Sequence, residues 1–71
     1  MKATITLKDG GTFSGVLESV NSERICIDFE KLNADAVNAM QKAGFSITHC
    51  PDKTWYVIAR FDKIEKYEIT D

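Results

Sequence analysis

The first seven residues alternate. Lys2, Thr4 and Thr6 are polar, and Ala3, Ile5 and Leu7 are apolar. A period of two puts successive side chains on opposite faces, so this segment predicts a half-buried strand. Lys8-Asp9-Gly10-Gly11 breaks the alternation. An Asp-Gly pair between alternating runs predicts a hairpin, because glycine takes φ > 0 without a steric penalty. Thr12 to Val20 is the second predicted strand, with Gly15 marking a bulge or a sharp bend where a side chain would obstruct curvature. Asn21-Ser22-Glu23 predicts a turn. In the third strand, Arg24 to Glu30, Ile25, Ile27 and Phe29 face one way. Arg24, Cys26, Asp28 and Glu30 face the other, more polar way.

The period then changes. Asn33 is a good helix N-cap, Asp35 falls in the first turn and Lys42 in the last, each favourable to the helix dipole. Leu32 before the cap and Val37 inside it have the spacing of a hydrophobic staple. Gly44 followed by Phe45 has the form of a Schellman stop, with Phe45 in reach of Met40. These signals predict one helix from Ala34 to Ala43. Its apolar positions, Ala36, Val37, Ala39, Met40 and Ala43, carry little bulk and fit a covering helix on a sheet.

Phe45, Ile47 and His49 alternate with Ser46, Thr48 and Cys50 in a fourth strand, and Pro51-Asp52-Lys53-Thr54 makes a turn. Trp55 to Arg60 is the fifth strand. It bears Trp55, Val57 and Ala59 on one side and Tyr56 and Ile58 on the other, so both faces are expected to be partly buried. Ile64 to Thr70 closes the chain as a sixth strand with Tyr67 and Ile69 in phase. The expected fold is β-rich α+β in the order βββ-α-βββ, a single domain over residues 1–71. It takes the form of a strongly bent antiparallel sheet or a small Sm/SH3-like barrel with one helix. The expected core is Phe13, Leu17, Ile25, Ile27, Phe29, Phe45, Trp55, Val57, Ile58 and Tyr67. A chain this short buries only about 60% of its unfolded surface, and six short strands leave edges to cover. A homo-oligomer, dimer or larger, is therefore expected, joined through a sheet edge or the C-terminal strands.

Composition narrows the function classes. Nine Lys and Arg against eleven Asp and Glu give a net charge of −2, which argues against non-specific nucleic-acid binding driven by charge alone. No apolar run reaches the length of a membrane span, and the N-terminus lacks the apolar stretch of a signal peptide, so a cytoplasmic protein with no membrane association is expected. Two cysteines, Cys26 and Cys50, are too few for a disulfide scaffold or a zinc site and read as reduced structural thiols. His49 and Cys50 are adjacent, but neighbours in a strand point to opposite faces, so no catalytic dyad is expected. Asp9-Gly10-Gly11 lacks the Lys-Ser/Thr and helix of a phosphate loop, and no serine has a histidine placed to activate it. The expectation is a non-enzyme without cofactor or metal.

One region combines basic and aromatic residues: Lys53, Trp55, Tyr56, Arg60, Lys63 and Lys66, with Phe61 and Tyr67. From Lys53 to Lys66 the four cations outnumber Asp62 and Glu65 by two. Bases stacked on such aromatics contribute about 1–3 kcal/mol each, so this region is the candidate surface for nucleic acid or a partner. The plainer reading has the aromatics in the core and the charges on a wet strand face.

The run Ile5-Thr6-Leu7-Lys8-Asp9-Gly10-Gly11-Thr12-Phe13-Ser14-Gly15-Val16-Leu17-Glu18-Ser19-Val20 resembles the first motif of Sm-like proteins, the family of the bacterial Sm-like RNA chaperone. Gly10, Phe13, Gly15 and Leu17 fall at its spacing, and the strand Ile25 to Phe29 follows. Tyr56-Val57-Ile58-Ala59-Arg60-Phe61-Asp62-Lys63-Ile64-Glu65-Lys66-Tyr67 is similar to the second motif, with Arg60 best matching a family position. The resemblance covers about two thirds of the chain. It implies a small bent barrel, oligomers joined by edge strands, and RNA as ligand. The chain departs from the pattern by starting in a strand rather than a helix. It has Asn21-Ser22-Glu23-Arg24 where the family lines its RNA pocket, Phe61 where the second motif has glycine, and residues 31–54 inserted between the third and fourth family strands. With no base-stacking residue at that pocket, the leading expectation is a small non-catalytic binding or regulatory module of the type carried by phages and mobile elements, acting through protein contacts. An Sm-like RNA-binding oligomer is the alternative.

Overall fold

The computed structural model describes residues 1–71. Three strands come first: β1 (Lys2–Leu7), β2 (Thr12–Val20) and β3 (Arg24–Phe29). Helix α1 (Ala34–Lys42) follows, then β4 (Ser46–His49), β5 (Trp55–Arg60), the short 3-10 helix η1 (Phe61–Lys63) and β6 (Ile64–Thr70). All strands belong to one antiparallel sheet in the order β4-β5-β3-β2-β1-β6. The predicted βββ-α-βββ order is observed, with η1 added between the last two strands.

Of the two expected forms, the sheet is the open one. Its outer strands, β4 and β6, are not paired with each other, so it is not a closed barrel. Two irregularities bend it. One opposes Leu17-Glu18-Ser19 of β2 to Ile27-Cys26 of β3, and the other opposes Ile64-Glu65-Lys66 of β6 to Leu7-Thr6 of β1. Each inserts one extra residue, Glu18 and Glu65, which increases local twist. Gly15 sits between them for steric reasons. A Cβ there would lie 2.6 Å from the Asp28 carbonyl oxygen, 2.7 Å from Ile27 Cγ2 and 2.9 Å from Phe29 Cδ1. The bulge itself is three residues further on.

One face of the sheet carries the core: Ala3, Ile5 and Leu7 of β1, Ile25, Ile27 and Phe29 of β3, Val57 and Ala59 of β5, and Ile64 of β6. Helix α1 covers it with Met40, its one fully buried residue, joined by Phe45. Both helix ends follow from local chemistry. Asn33 Oδ1 accepts the Ala36 N–H at 2.7 Å. At the other end Gly44 has φ +91, the Gly44 N–H donates to the Gln41 carbonyl, and the Phe45 N–H donates to that of Met40, each at 3.0 Å. That is the Schellman pair, and Met40 and Phe45 both enter the core as its apolar contact requires.

The expected core needs correction at several positions. Tyr67 is exposed, at 40% of its surface, rather than buried. Phe13, Leu17 and Trp55 are half-buried at the core's rim, and Ile58 is half-buried on the other face. Ala3, Ile5, Leu7, Met40, Ala59 and Ile64 supply the missing bulk. Cys26 lies on the outer face, as its phase required, yet is buried. β3 is a central strand, with Ile58 and Ser19 flanking Cys26 and the Tyr56 phenol in hydrogen-bonding reach of its thiol.

Candidate interaction surface

The six residues singled out in the sequence do not form one patch. Lys53 sits at the tip of the β4–β5 turn with φ +71. Trp55 opens β5 opposite Phe29, and its indole stacks on His49 with ring centroids 4.2 Å apart and planes 13° from parallel. Tyr56 is next in the strand and faces the other side, opposite Asp28. Arg60 ends the strand, roughly 17 Å from Trp55 at the usual rise. It faces Arg24 across the ladder and makes an exposed ion pair with Asp62 at 3.6 Å. Such an exposed pair contributes little. Lys63 belongs to η1, with its stem beside Gly44. Lys66 lies on β6, with three strands between it and β5 in the sheet. The sequence-derived surface is therefore split between the two ends of β5 and a separate edge.

The stack on Trp55 also settles where His49 goes. Cys50, next along, has its Sγ 3.9 Å from the Thr48 carbonyl oxygen, so the two side chains keep separate company.

Three other arrangements emerge. The first is the groove between α1 and the β1–β2 turn, about 640 Å³, lined by Leu7, Lys8, Asp35, Asn38, Lys42 and Lys63 among others. Lys8 Nζ crosses there to donate to the Asp62 carbonyl at 2.8 Å, tying the turn to η1. Asp35, Asn38 and Lys42 have helical i, i+3, i+7 spacing, so this face was present in the sequence. Its charges are mixed, and it carries no single-sign field.

The second lies on the outer face of the sheet. The β2 bulge brings Glu18 beside Asp28. Hydrogen bonding to Asp28, and then its charge, raises the Glu18 carboxyl above its ordinary range. The Tyr56 phenol is also pushed up, first by hydrogen bonding to Cys26 and then by burial, while the charge of Arg24 pulls the other way. Cys26, Asp28 and Tyr56 have strand phases that predict a shared face. Their convergence depends on the register, which alternation alone does not supply.

The third is the β6 edge. Phe61 and Tyr67 stack at 4.9 Å with planes 5° apart, and with Ile64, Glu65 and Lys66 they line an open cleft of about 380 Å³. The direction of the backbone groups along this edge follows from β1. The Leu17 N–H donates to the Met1 carbonyl and the Leu7 N–H to that of Gly11. Odd-numbered β1 residues therefore point their peptide groups at β2, and Lys2, Thr4 and Thr6 point theirs at β6. These three pair with Thr70, Glu68 and Lys66. The N–H and C=O of Tyr67 and Ile69 consequently point outward, away from the sheet. No protein-family model, curated protein or solved structure matches the chain.

Proposed function

We propose that this chain is a non-catalytic binding module that acts through protein–protein contacts as a small regulatory factor. The observation that carries this reading is the β6 edge, where outward peptide groups lie beside the exposed Tyr67 ring, stacked on the half-buried Phe61. Such an edge can accept a strand, with main-chain hydrogen bonds supplying affinity and neighbouring side chains supplying selectivity. Aromatic residues held rigidly at a surface are typical anchors of such contacts.

The Sm-like RNA-binding oligomer is the second reading. Its support is the adjacency of β6, β1, β2, β3 and β5, the five strands that carry the two motifs, together with the Arg24–Arg60 neighbour pair. Against it, β4 of the inserted segment occupies the edge of β5, and Glu18 and Asp28 place negative charge on the same outer face.

The deciding experiment compares the wild-type chain with Tyr67→Pro, which removes an outward N–H and leaves the β1 ladder intact. Nuclease-treated capture by the wild type should yield a protein partner that Tyr67→Pro loses, with unchanged circular dichroism. Single-stranded RNA titrated at low salt should show no binding. RNA affinity that falls steeply with added salt, and that survives Tyr67→Pro, would reverse the order of the two readings.

A further inference from the structure

We propose that the strand accepted by the β6 edge is β6 of a second copy of this chain, paired antiparallel about a twofold axis through Tyr67. This rests on the reading of that edge as the binding surface. Backbone direction and charge select the pairing together.

Only outward peptide groups can bond across the new seam, and in the regular part of β6 these belong to Tyr67 and Ile69. A twofold pairing must therefore put odd-numbered residues opposite odd-numbered residues. Five registers centred on a residue from Glu65 to Ile69 meet this condition, and the one centred on Ile69 overlaps only residues 68–70 of the strand and brings no opposite charges together. Centring on Glu65 opposes two glutamates, centring on Lys66 opposes two lysines, and centring on Glu68 opposes two glutamates again. Centring on Tyr67 is different. It opposes Tyr67 to Tyr67 of the second copy in a reciprocal hydrogen-bonded pair. It also places Lys66 opposite Glu68 of the second copy, twice by symmetry. Those Lys–Glu positions are the closely spaced, non-hydrogen-bonded ones, where cross-strand side chains interact most strongly.

Both charged residues are free to make the contact. Lys66 and Glu68 are exposed, and the chain's one ion pair, Arg60–Asp62, involves neither. The stacked Phe61 and Tyr67 of each copy flank the seam. The other sheet edge offers no equivalent selection, because β4 is four residues long and carries neither Lys, Arg, Asp nor Glu. The paired segment is short and has one reciprocal hydrogen-bonded pair at its centre, so a weak dimer is expected.

Charge exchange tests the register. Sedimentation equilibrium of the wild type over micromolar to submillimolar concentrations should show a monomer–dimer equilibrium. Lys66→Glu and Glu68→Lys should each weaken the dimer by about ten-fold or more, since each turns two attractive cross-strand pairs repulsive. The double exchange should restore it. An equimolar mixture of the two single variants should form a heterodimer tighter than either homodimer, because each copy then carries what the other lacks. Circular dichroism checks that each variant is folded. A wild type that stays monomeric over the whole range overturns the proposal, and so does a dimer indifferent to both exchanges. Neither outcome touches the capture experiment with Tyr67→Pro, so the second-copy assignment and the binding-module reading fail separately.

Discussion

The β1–β2 and β4–β5 hairpins close with the same backbone and different residues. In the first, the Leu7 N–H donates to Gly11 O at 2.7 Å, and the Gly10 N–H donates to Leu7 O at 2.9 Å. In the second, Cys50 donates to Thr54 at 2.8 Å and Lys53 donates to Cys50 at 2.9 Å. Asp9 Oδ1 accepts the Gly11 N–H at 2.9 Å, and Asp52 Oδ1 accepts that of Thr54 at 3.1 Å. The residue after each aspartate turns left-handed, with φ +97 at Gly10 and φ +71 at Lys53. Glycine takes that conformation freely, whereas a lysine pays about 1–2 kcal/mol for it. The β4–β5 turn holds its shape with additional help, because the Thr54 hydroxyl also donates to Asp52 at 2.7 Å. One geometry is thus reached once by a permissive residue and once by hydrogen bonding that outweighs torsional strain.

Three substitutions probe that contrast, beginning with one that sets its scale. Gly15→Ala should cost the most, about 3 kcal/mol or more in urea unfolding, because the new methyl group meets backbone and two core side chains. A smaller loss would mean that β2 can move off β3. Gly10→Ala should cost about 1–2 kcal/mol, for torsion alone, since a Cβ there meets nothing within 4 Å. If it costs as much as Gly15→Ala, the distinction between space and torsion collapses. Lys53→Gly should gain roughly 0.5–1 kcal/mol, the relieved torsion less the added freedom of the unfolded chain. A loss of stability on this change would show that the Lys53 side chain has a structural task.

The smallest effect concerns pH. Hydrogen bonds from the Thr54 hydroxyl and then its N–H hold the Asp52 carboxyl below its ordinary value of 3.8. A lowered folded value adds stability above the unfolded value, and that stability is lost as pH falls through the folded one. Asp52→Asn keeps an acceptor and removes the titration, so its melting temperature should fall less than the wild type's on acidification. Glu18→Gln should behave oppositely. The raised Glu18 carboxyl favours folding while protonated and loses that contribution as pH rises through its folded value. This variant should melt above the wild type near neutrality, with the two curves meeting in acid. Parallel curves for either variant would remove its carboxyl from the account.

Much of the fold was legible because local signals agreed with the tertiary outcome. Alternation gave the bounds of β2, β5 and β6, and Asn33 and Gly44 marked the helix through hydrogen bonds that side chain and backbone make locally. Tyr67 failed for a tertiary reason. Its phase pointed to the core face, but β6 is an edge strand, so the ring lies beyond the rim of what α1 covers. Cys26 keeps the face its phase required, and its burial there comes from neighbours that only the register brings close. The same limit applied to the candidate surface. Lys66 and Glu68 alternate in the sequence as an opposite-charge pair, but nothing local shows that their strand lies at an edge. Charge and aromatic content alone therefore collected Lys53 and Lys66, which the fold places in the β4–β5 turn and on the opposite edge strand β6.

Lys2 pairs with Thr70, so the two ends of the chain lie side by side in neighbouring strands. Forming this ladder closes a loop of nearly the whole chain, which carries a larger entropic cost than the local hairpins and slows folding. The adjacency also allows the ends to be joined by a short linker and the chain reopened at the Pro51–Lys53 turn. Such a circular permutant would turn the slow ladder into a local hairpin and release Lys53 from its left-handed turn in the same step.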